Sequence, residues 1–129
     1  MHWSARYVGM AYVPGRFDCA HLVEKVQAEV FGRRVALPME RPIAQRSAEF
    51  AALVHATAPA VAQRVDTPLE GDAALMIGAG RLNHVGVAVF EAGEWWVLHA
   101  FIKARAVVLH RVRDLGRQGL TLEGWYRWN

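Results

Sequence analysis

A β-hairpin is predicted for residues 85–101, whose sequence is VGVAVFEAGEWWVLHAF. Two apolar runs, 85–91 and 95–101, are rich in β-branched and aromatic side chains, and Ala92 and Gly93 lie between them. Runs of this kind on both sides of a glycine-containing turn are typical of antiparallel strands. A turn at this place pairs residues whose numbers add up to about 185.

The rest of the chain divides into a helical half and a strand half. Apolar runs at 73–77 and 106–112 are predicted strands, and 65–72 is a predicted connection. A helix is predicted from Asp18 to Phe31, ending at Gly32, with others at 2–12 and 44–57. The C-terminal residues are interpreted as a polar, then aromatic, tail. This order favours one α+β domain over residues 1–129, with N-terminal helices packed on a central antiparallel sheet of about four to six strands.

The bulk composition limits the function classes. The chain has 129 residues, a formal net charge of +3 and one cysteine, which excludes an internal disulfide. Because no apolar run reaches the ~18–20 residues of a membrane-spanning helix, no membrane span is expected. The first residues lack the apolar core of a signal peptide, so we expect a protein that is cytoplasmic as synthesised. The basic residues do not cluster on one helix or strand, so nucleic acid is not an expected partner.

The only cysteine, Cys19, follows Asp18 at the start of the strongest predicted helix. The positive end of a helix dipole favours a thiolate, so Cys19 is a candidate nucleophile. The alternative is a buried apolar side chain, which is the commoner role of a lone cysteine on an apolar helix.

Two histidines, His84 and His99, occupy corresponding places in the predicted hairpin. His84 falls opposite about residue 101, so both side chains are predicted on one face of the sheet. If the Cys19 helix packs on that face, His84 could take the thiol proton and His99 could hold the imidazole of His84 in the useful tautomer. No metal or cofactor is expected, because no pair shows the usual short ligand spacing. The other histidines are interpreted as surface residues: His2, His21, His55 and His110.

Five short segments, taken in this order, resemble the NlpC-type cysteine peptidases. They are Tyr7–Tyr12, Phe17–Val23, Glu70–Leu75, Asn83–Val87 and Leu98–Ala100. Members of this superfamily have a papain-like architecture and occur in cell-wall hydrolases and phage tail proteins. The compact chain and its end, Gly124–Trp128, are most similar to the phage or prophage branch.

The resemblance implies a papain-like fold and a role for four residues. Cys19 would be the nucleophile, His84 the base, His99 the orienting residue and Tyr12 the upstream tyrosine near the oxyanion, with Tyr7 as the second choice. The implied reaction is hydrolysis of amide bonds in peptidoglycan stem peptides. The implied partners are phage tail proteins, and the implied place of action is the virion tail.

Two features depart from the family pattern, and two other functions stay open. Ala20 and His21 follow the cysteine, where the family has small residues, often Ser-Gly, and the loop between Tyr12 and Cys19 lacks the usual pair of glycines. One alternative function is an amidase or acyl transferase of the same fold that acts on another substrate. The other is a structural module of tail assembly with little activity.

Overall fold

The computed structural model describes residues 2–35, 62–78 and 81–129. The described residues form six strands, one α-helix and three short 3₁₀ helices. The strands are β1 (Ala62–Val65), β2 (Ala73–Gly78), β3 (Arg81–Glu91), β4 (Glu94–Phe101), β5 (Ala106–Arg111) and β6 (Leu120–Trp128). The helix α1 spans Cys19–Phe31, and the 3₁₀ helices span Trp3–Arg6, Ile102–Ala104 and Val112–Gln118.

The six strands form one antiparallel sheet in the order β1-β6-β2-β3-β4-β5. The register predicted for the hairpin is confirmed, because Val87 pairs with Leu98 and Glu91 pairs with Glu94. Ala92 and Gly93 both have positive φ angles, 53° and 77°. Positive φ at both central residues is the geometry of a type I′ turn, whose twist matches that of the two strands it joins.

The helix α1 covers one face of the sheet. It begins after Asp18, whose carboxylate caps the first turn, and ends at Gly32, which has a φ of 65°. Its buried side chains, Leu22 and Val26 among them, pack with Val87, Leu98 and other apolar residues of β2–β5. The opposite face has a second apolar group, in which the 3₁₀ helix Val112–Gln118 takes part. Its buried members are Ala74, Met76, Val97, Phe101, Leu115 and Leu120.

The predicted papain-like α+β fold, with N-terminal helices packed on a central sheet, is wrong. The structure is a small β-rich domain dominated by its six-stranded antiparallel sheet. In place of the helix predicted at 2–12, the structure has the 3₁₀ helix Trp3–Arg6. The helix does not continue because Gly9 has a φ of 94° and the chain then runs along β5. The predicted helix at 44–57 lies outside the described residues. None of the described helices is long and apolar enough to cross a membrane.

Two strands were not predicted from the sequence: β1 overlaps the predicted connection 65–72 only at Val65, and β6 lies in the segment interpreted as a tail. β1 pairs with β6, and β6 inserts between β1 and β2. Leu120 and Leu122 alternate with Thr121 and Glu123, which is a strand pattern. The register then shifts between Leu75 and Met76. A bulge at this point interrupts the alternation that would have predicted the strand.

Segment 9–12 follows β5 on the side that does not pair with β4. The N–H groups of Gly9 and Tyr12 donate to the carbonyl oxygens of Val107 and Arg105, at 2.9 and 3.0 Å. The N–H of Val107 donates in return to the carbonyl of Met10, at 2.8 Å. These bonds hold the N-terminal segment against the sheet and place it beside the start of α1.

The segment Glu70–Asp72 ties α1 to β2 and β6. The carbonyl of Gly71 accepts from Gln27 on α1 at 2.8 Å and from Trp128 on β6 at 3.1 Å. Asp72 is 2 % exposed and accepts two bonds from the guanidinium of Arg127. Within the described structure, this part of the family-like pattern therefore has a structural role.

Candidate active site

The two strands of the hairpin part at the end that carries the histidines. The β3–β4 pairing runs from the turn only as far as Val87 and Leu98. Beyond this point β3 pairs with β2, and β4 pairs with β5. Gly86 lies at the parting: a Cβ atom built there would be 2.5 Å from Cγ1 of Val97 and 3.1 Å from Cβ of His99. Glycine thus lets β4 approach β3 closely just where the pairing stops.

His84 and His99 form a hydrogen-bonded pair in the parted end. Nε2 of His84 lies 2.6 Å from Nδ1 of His99. His99 is fully buried, and both rings lie against Phe101, with centroids 5.9 and 5.1 Å from its ring. Burial lowers the pKa of His84 to about 4. Burial, together with the neighbouring His84 and His110, lowers the pKa of His99 to about 2. Both imidazoles are therefore neutral at pH 7, as a general base requires.

A third histidine, His110, continues this chain. Its Nδ1 lies 3.0 Å from Nε2 of His99, and its side chain is partly buried. The sequence analysis interpreted His110 as a surface residue, yet the signal was present. β4 and β5 form a second hairpin, in which His99 pairs with Val108 and Val97 pairs with His110. The register argument that brought His84 to His99 would also have placed His110 diagonally beside His99, on the same face.

Cys19 is the first residue of α1 and is 8 % exposed. The backbone N–H of Val85 hydrogen-bonds to its sulfur, and Val85 directly follows His84 in the chain. Burial nevertheless raises the pKa of the Cys19 thiol, and this effect exceeds the opposing hydrogen bonds from the backbone. The expected net lowering by the helix start is therefore wrong, because loss of hydration outweighs it.

The helix does not pack on the face that carries the histidines. Val85 and Leu98 belong to the apolar group under α1, whereas His84 and His99 alternate with them and lie beside Phe101 on the other face. Among the described residues no hydrogen bond joins Cys19 to His84. The thiol and the imidazole thus lie near Val85 on opposite faces of the sheet, at the place where the β3–β4 pairing has ended.

The two candidate tyrosines lie in different places. The bridge between Val13 and Phe17 closes a tight turn, with Tyr12 directly before it in the chain and Asp18 directly after it. Tyr12 is partly buried and packs against the apolar group that contains Cys19. The hydroxyl of Tyr7 instead donates to Glu29 at 2.7 Å. Glu29 is ten residues beyond Cys19, about 15 Å along the helix axis, so Tyr12 is the better candidate.

The N-terminal cap of α1 binds the backbone N–H groups of two residues of the first turn but not that of Cys19. Oδ1 of Asp18 accepts from the N–H groups of Ala20 and His21, at 3.1 and 3.3 Å. Nδ1 of His21 lies 2.9 Å from the same oxygen and 3.3 Å from the Asp18 backbone nitrogen. His21 therefore completes a capping box, which explains this residue where the family has a smaller one. The N–H of Cys19 is not used by the cap and is a candidate oxyanion donor.

The described residues contain no group of three or more His, Cys, Asp or Glu side chains arranged to hold a metal ion. Comparisons of the chain with protein-family models, with curated proteins and with solved structures give no match.

Proposed function

We propose that this protein is a cysteine hydrolase that cleaves amide bonds, with Cys19 as nucleophile and His84 as general base. The observation that carries the proposal is the 2.6 Å contact between Nε2 of His84 and Nδ1 of His99. This contact occupies Nε2 and leaves Nδ1 of His84 as the nitrogen available to a thiol. His84 also directly precedes Val85, whose N–H holds the Cys19 sulfur.

The site begins its reaction as a neutral pair. Burial raises the pKa of Cys19 and lowers that of His84 to about 4, so thiol and imidazole are both uncharged at pH 7. In the proposed mechanism the thiol proton passes to Nδ1 of His84 beside Val85, where the β3–β4 pairing has ended, while the sulfur attacks the substrate carbonyl. The ion pair thus forms during the attack and does not exist beforehand.

The remaining steps use groups at the start of α1. The N–H of Cys19 and the hydroxyl of Tyr12 would hold the oxyanion. His84 would then protonate the leaving amine and activate water, which releases the acyl group from the sulfur. His99 would keep the imidazole of His84 in the tautomer that has a free Nδ1.

The proposed substrate is the peptide stem of peptidoglycan, and the proposed place of action is a phage or prophage tail. Two observations support the substrate class. The five segments that resemble NlpC-type peptidases include all four proposed catalytic residues, and the net charge of +3 suits stems with free carboxylates. The support is local, since it rests on residues at the start of α1 and in the parted hairpin.

The test is cleavage of purified peptidoglycan by the full chain. We expect release of soluble fragments with new free amino groups, detected by chromatography and mass spectrometry. Cys19→Ala and His84→Ala should each reduce this release at least about 1000-fold, because both remove a group that takes part in the bond-breaking steps.

A matched control separates loss of chemistry from loss of fold. His2→Ala removes a partly buried histidine that contacts Ser4 and Glu70 and should leave the release unchanged. Circular dichroism should show folded protein for all three variants. Release by folded Cys19→Ala at the wild-type rate would refute the nucleophile, and intact peptidoglycan after treatment with the wild-type protein would refute the substrate.

A further inference from the structure

We infer that His110 is the outer end of a three-histidine proton relay that accepts the Cys19 proton by way of His84 and His99. The catalytic use of the relay rests on the proposed function, but its geometry does not. Nε2 of each inner ring lies at hydrogen-bond distance from Nδ1 of the next, 2.6 Å from His84 to His99 and 3.0 Å from His99 to His110. Both contacts therefore join Nε2 of one ring to Nδ1 of the ring that follows it in the relay.

This repeated geometry selects one set of tautomers. If Nδ1 of His84 is to accept a proton, its Nε2 must carry hydrogen and donate to Nδ1 of His99. Nδ1 of His99 is then an acceptor, so its Nε2 carries hydrogen and donates to Nδ1 of His110. All three neutral rings are thus protonated at Nε2, and each Nδ1 can accept.

The proton transfer balances along the chain. Nδ1 of His84 gains the thiol proton, Nε2 of His84 gives its proton to Nδ1 of His99, and Nε2 of His99 gives its proton to Nδ1 of His110. Cys19 becomes a thiolate and His110, which keeps its Nε2 proton, becomes an imidazolium. In the reverse sequence Nδ1 of His84 gives its proton to the leaving amine, Nε2 of His84 regains a proton from Nδ1 of His99, and Nε2 of His99 regains one from Nδ1 of His110.

The surroundings make His110 the best place for the positive charge. His99 is fully buried, whereas His110 is partly exposed. The groups facing His110 are His99 from β4, the ring of Phe101, and Asp114 from the 3₁₀ helix Val112–Gln118. Burial lowers the pKa of His110 below its usual value, and the Asp114 carboxylate offsets part of this effect. Asp114 is itself held by Arg111, with Nε 3.0 Å from its Oδ2.

The test measures how the alkylation rate of Cys19 by iodoacetamide depends on pH, in the folded full chain. Cys19 is the only cysteine, so the signal has one source. His110→Ala and His110→Gln should both shift the profile to higher pH by about one unit, about tenfold slower alkylation at pH 7, because neither side chain can take the proton. A His110→Gln profile that coincides with that of the wild type would overturn the relay.

A second measurement separates proton transfer from simple support of His99. Long-range ¹H–¹⁵N correlation spectra should show all three rings protonated at Nε2 in the wild-type protein. In His110→Gln the amide oxygen still accepts from His99, so the His84 and His99 tautomers should persist although the alkylation profile shifts. A wild-type His99 protonated at Nδ1 would overturn the inference. His2→Ala should change neither measurement, and neither needs a peptidoglycan substrate, so failure of the proposed function remains distinguishable.

Discussion

The β3–β4 hairpin has two halves, which differ in whether its strands pair with each other. From Val87 and Leu98 to the turn, the strands pair in regular register, and the apolar side chains alternate between the two faces. From Gly86 and His99 onward this pairing is absent, and each strand keeps only the pairing with its outer neighbour. The paired half is explained by burial of apolar surface, whereas the parted half contains the buried His99 and the partly buried His84, both with strongly lowered pKa values.

The difference between the two halves shows where the candidate reactive groups of this small domain lie. In the continuous ladder between β3 and β4, the N–H and C=O groups that face the partner strand bond to each other and are not available to other groups. Where the ladder stops, the His84 ring can meet His99, and the N–H of Val85 can meet the Cys19 sulfur. The regular half fixes the register that brings these groups together.

Lowering the pH should have the largest effect on the free energy of unfolding, because it protonates the histidines of the parted half. Because the folded-state pKa values of His84 and His99 lie below the usual 6.5, at about 4 and about 2, the unfolded chain binds more protons below pH 6.5. The free energy of unfolding should therefore fall as the pH decreases from about 6.5 to 4, by on the order of 3–6 kcal/mol in total. Urea unfolding at a series of pH values measures this loss.

A histidine variant tests whether that loss comes from the parted half. In His84→Gln the pH-dependent part of the stability between pH 6.5 and 4 should shrink to about half, because one of the two histidines with strongly lowered pKa values is gone. A wild-type stability that stays flat between pH 7 and 4 would contradict the burial of neutral imidazoles.

Truncation of a buried side chain in the paired half should have the next largest effect, and it should change the stability alone. Leu98 is fully buried under α1, so Leu98→Ala should reduce the free energy of unfolding by about 2–5 kcal/mol through lost burial and a cavity. The alkylation profile of Cys19 in the folded fraction should stay where it is. Leu69→Ala is the matched control, since Leu69 is 57 % exposed and its loss should cost little. Equal effects of the two variants in urea unfolding would contradict this.

Gly86, at the boundary of the halves, should affect both properties by a smaller amount. In Gly86→Ala the new methyl group would meet Cγ1 of Val97 at 2.5 Å and the carbonyl oxygen of Leu98 at 2.9 Å. We expect a loss of about 1–3 kcal/mol in unfolding free energy. We also expect a changed His84–His99 contact, visible in the ¹⁵N shifts of both rings.

Gly116→Ala provides the comparison for this substitution. A Cβ at Gly116 would meet nothing within 4 Å, so its unfolding free energy should stay within about 0.5 kcal/mol of the wild type. A Gly86→Ala protein as stable as Gly116→Ala, with unchanged histidine shifts, would show that close approach at the boundary is not required.

Local signals in the sequence predicted the local elements well. The hairpin register followed from its turn, and α1 begins after Asp18 and ends at Gly32, where a cap and a left-handed glycine were expected. The proximity of His84 and His99 followed from the same register. These results depend on neighbours in the chain or on strands joined by one short turn.

What the sequence could not supply depends on long-range packing. β6 inserts between β1 and β2, and no turn in the chain specifies that order. The face on which α1 packs is likewise decided by the apolar residues of the whole sheet, so the position of Cys19 relative to His84 could not be derived from the hairpin alone. The roles of Cys19, His84, His99 and Tyr12 in catalysis stay predictions.

The bonds between segment 9–12 and β5 also bear on self-association. β5 is the last strand of the sheet, and an uncovered last strand offers free N–H and C=O groups to the strand of another molecule. Gly9, Met10 and Tyr12 use the groups of Val107 and Arg105 within the same chain. Segment 9–12, which contains Tyr12, therefore also makes part of the β5 edge unavailable for pairing with a strand of another molecule.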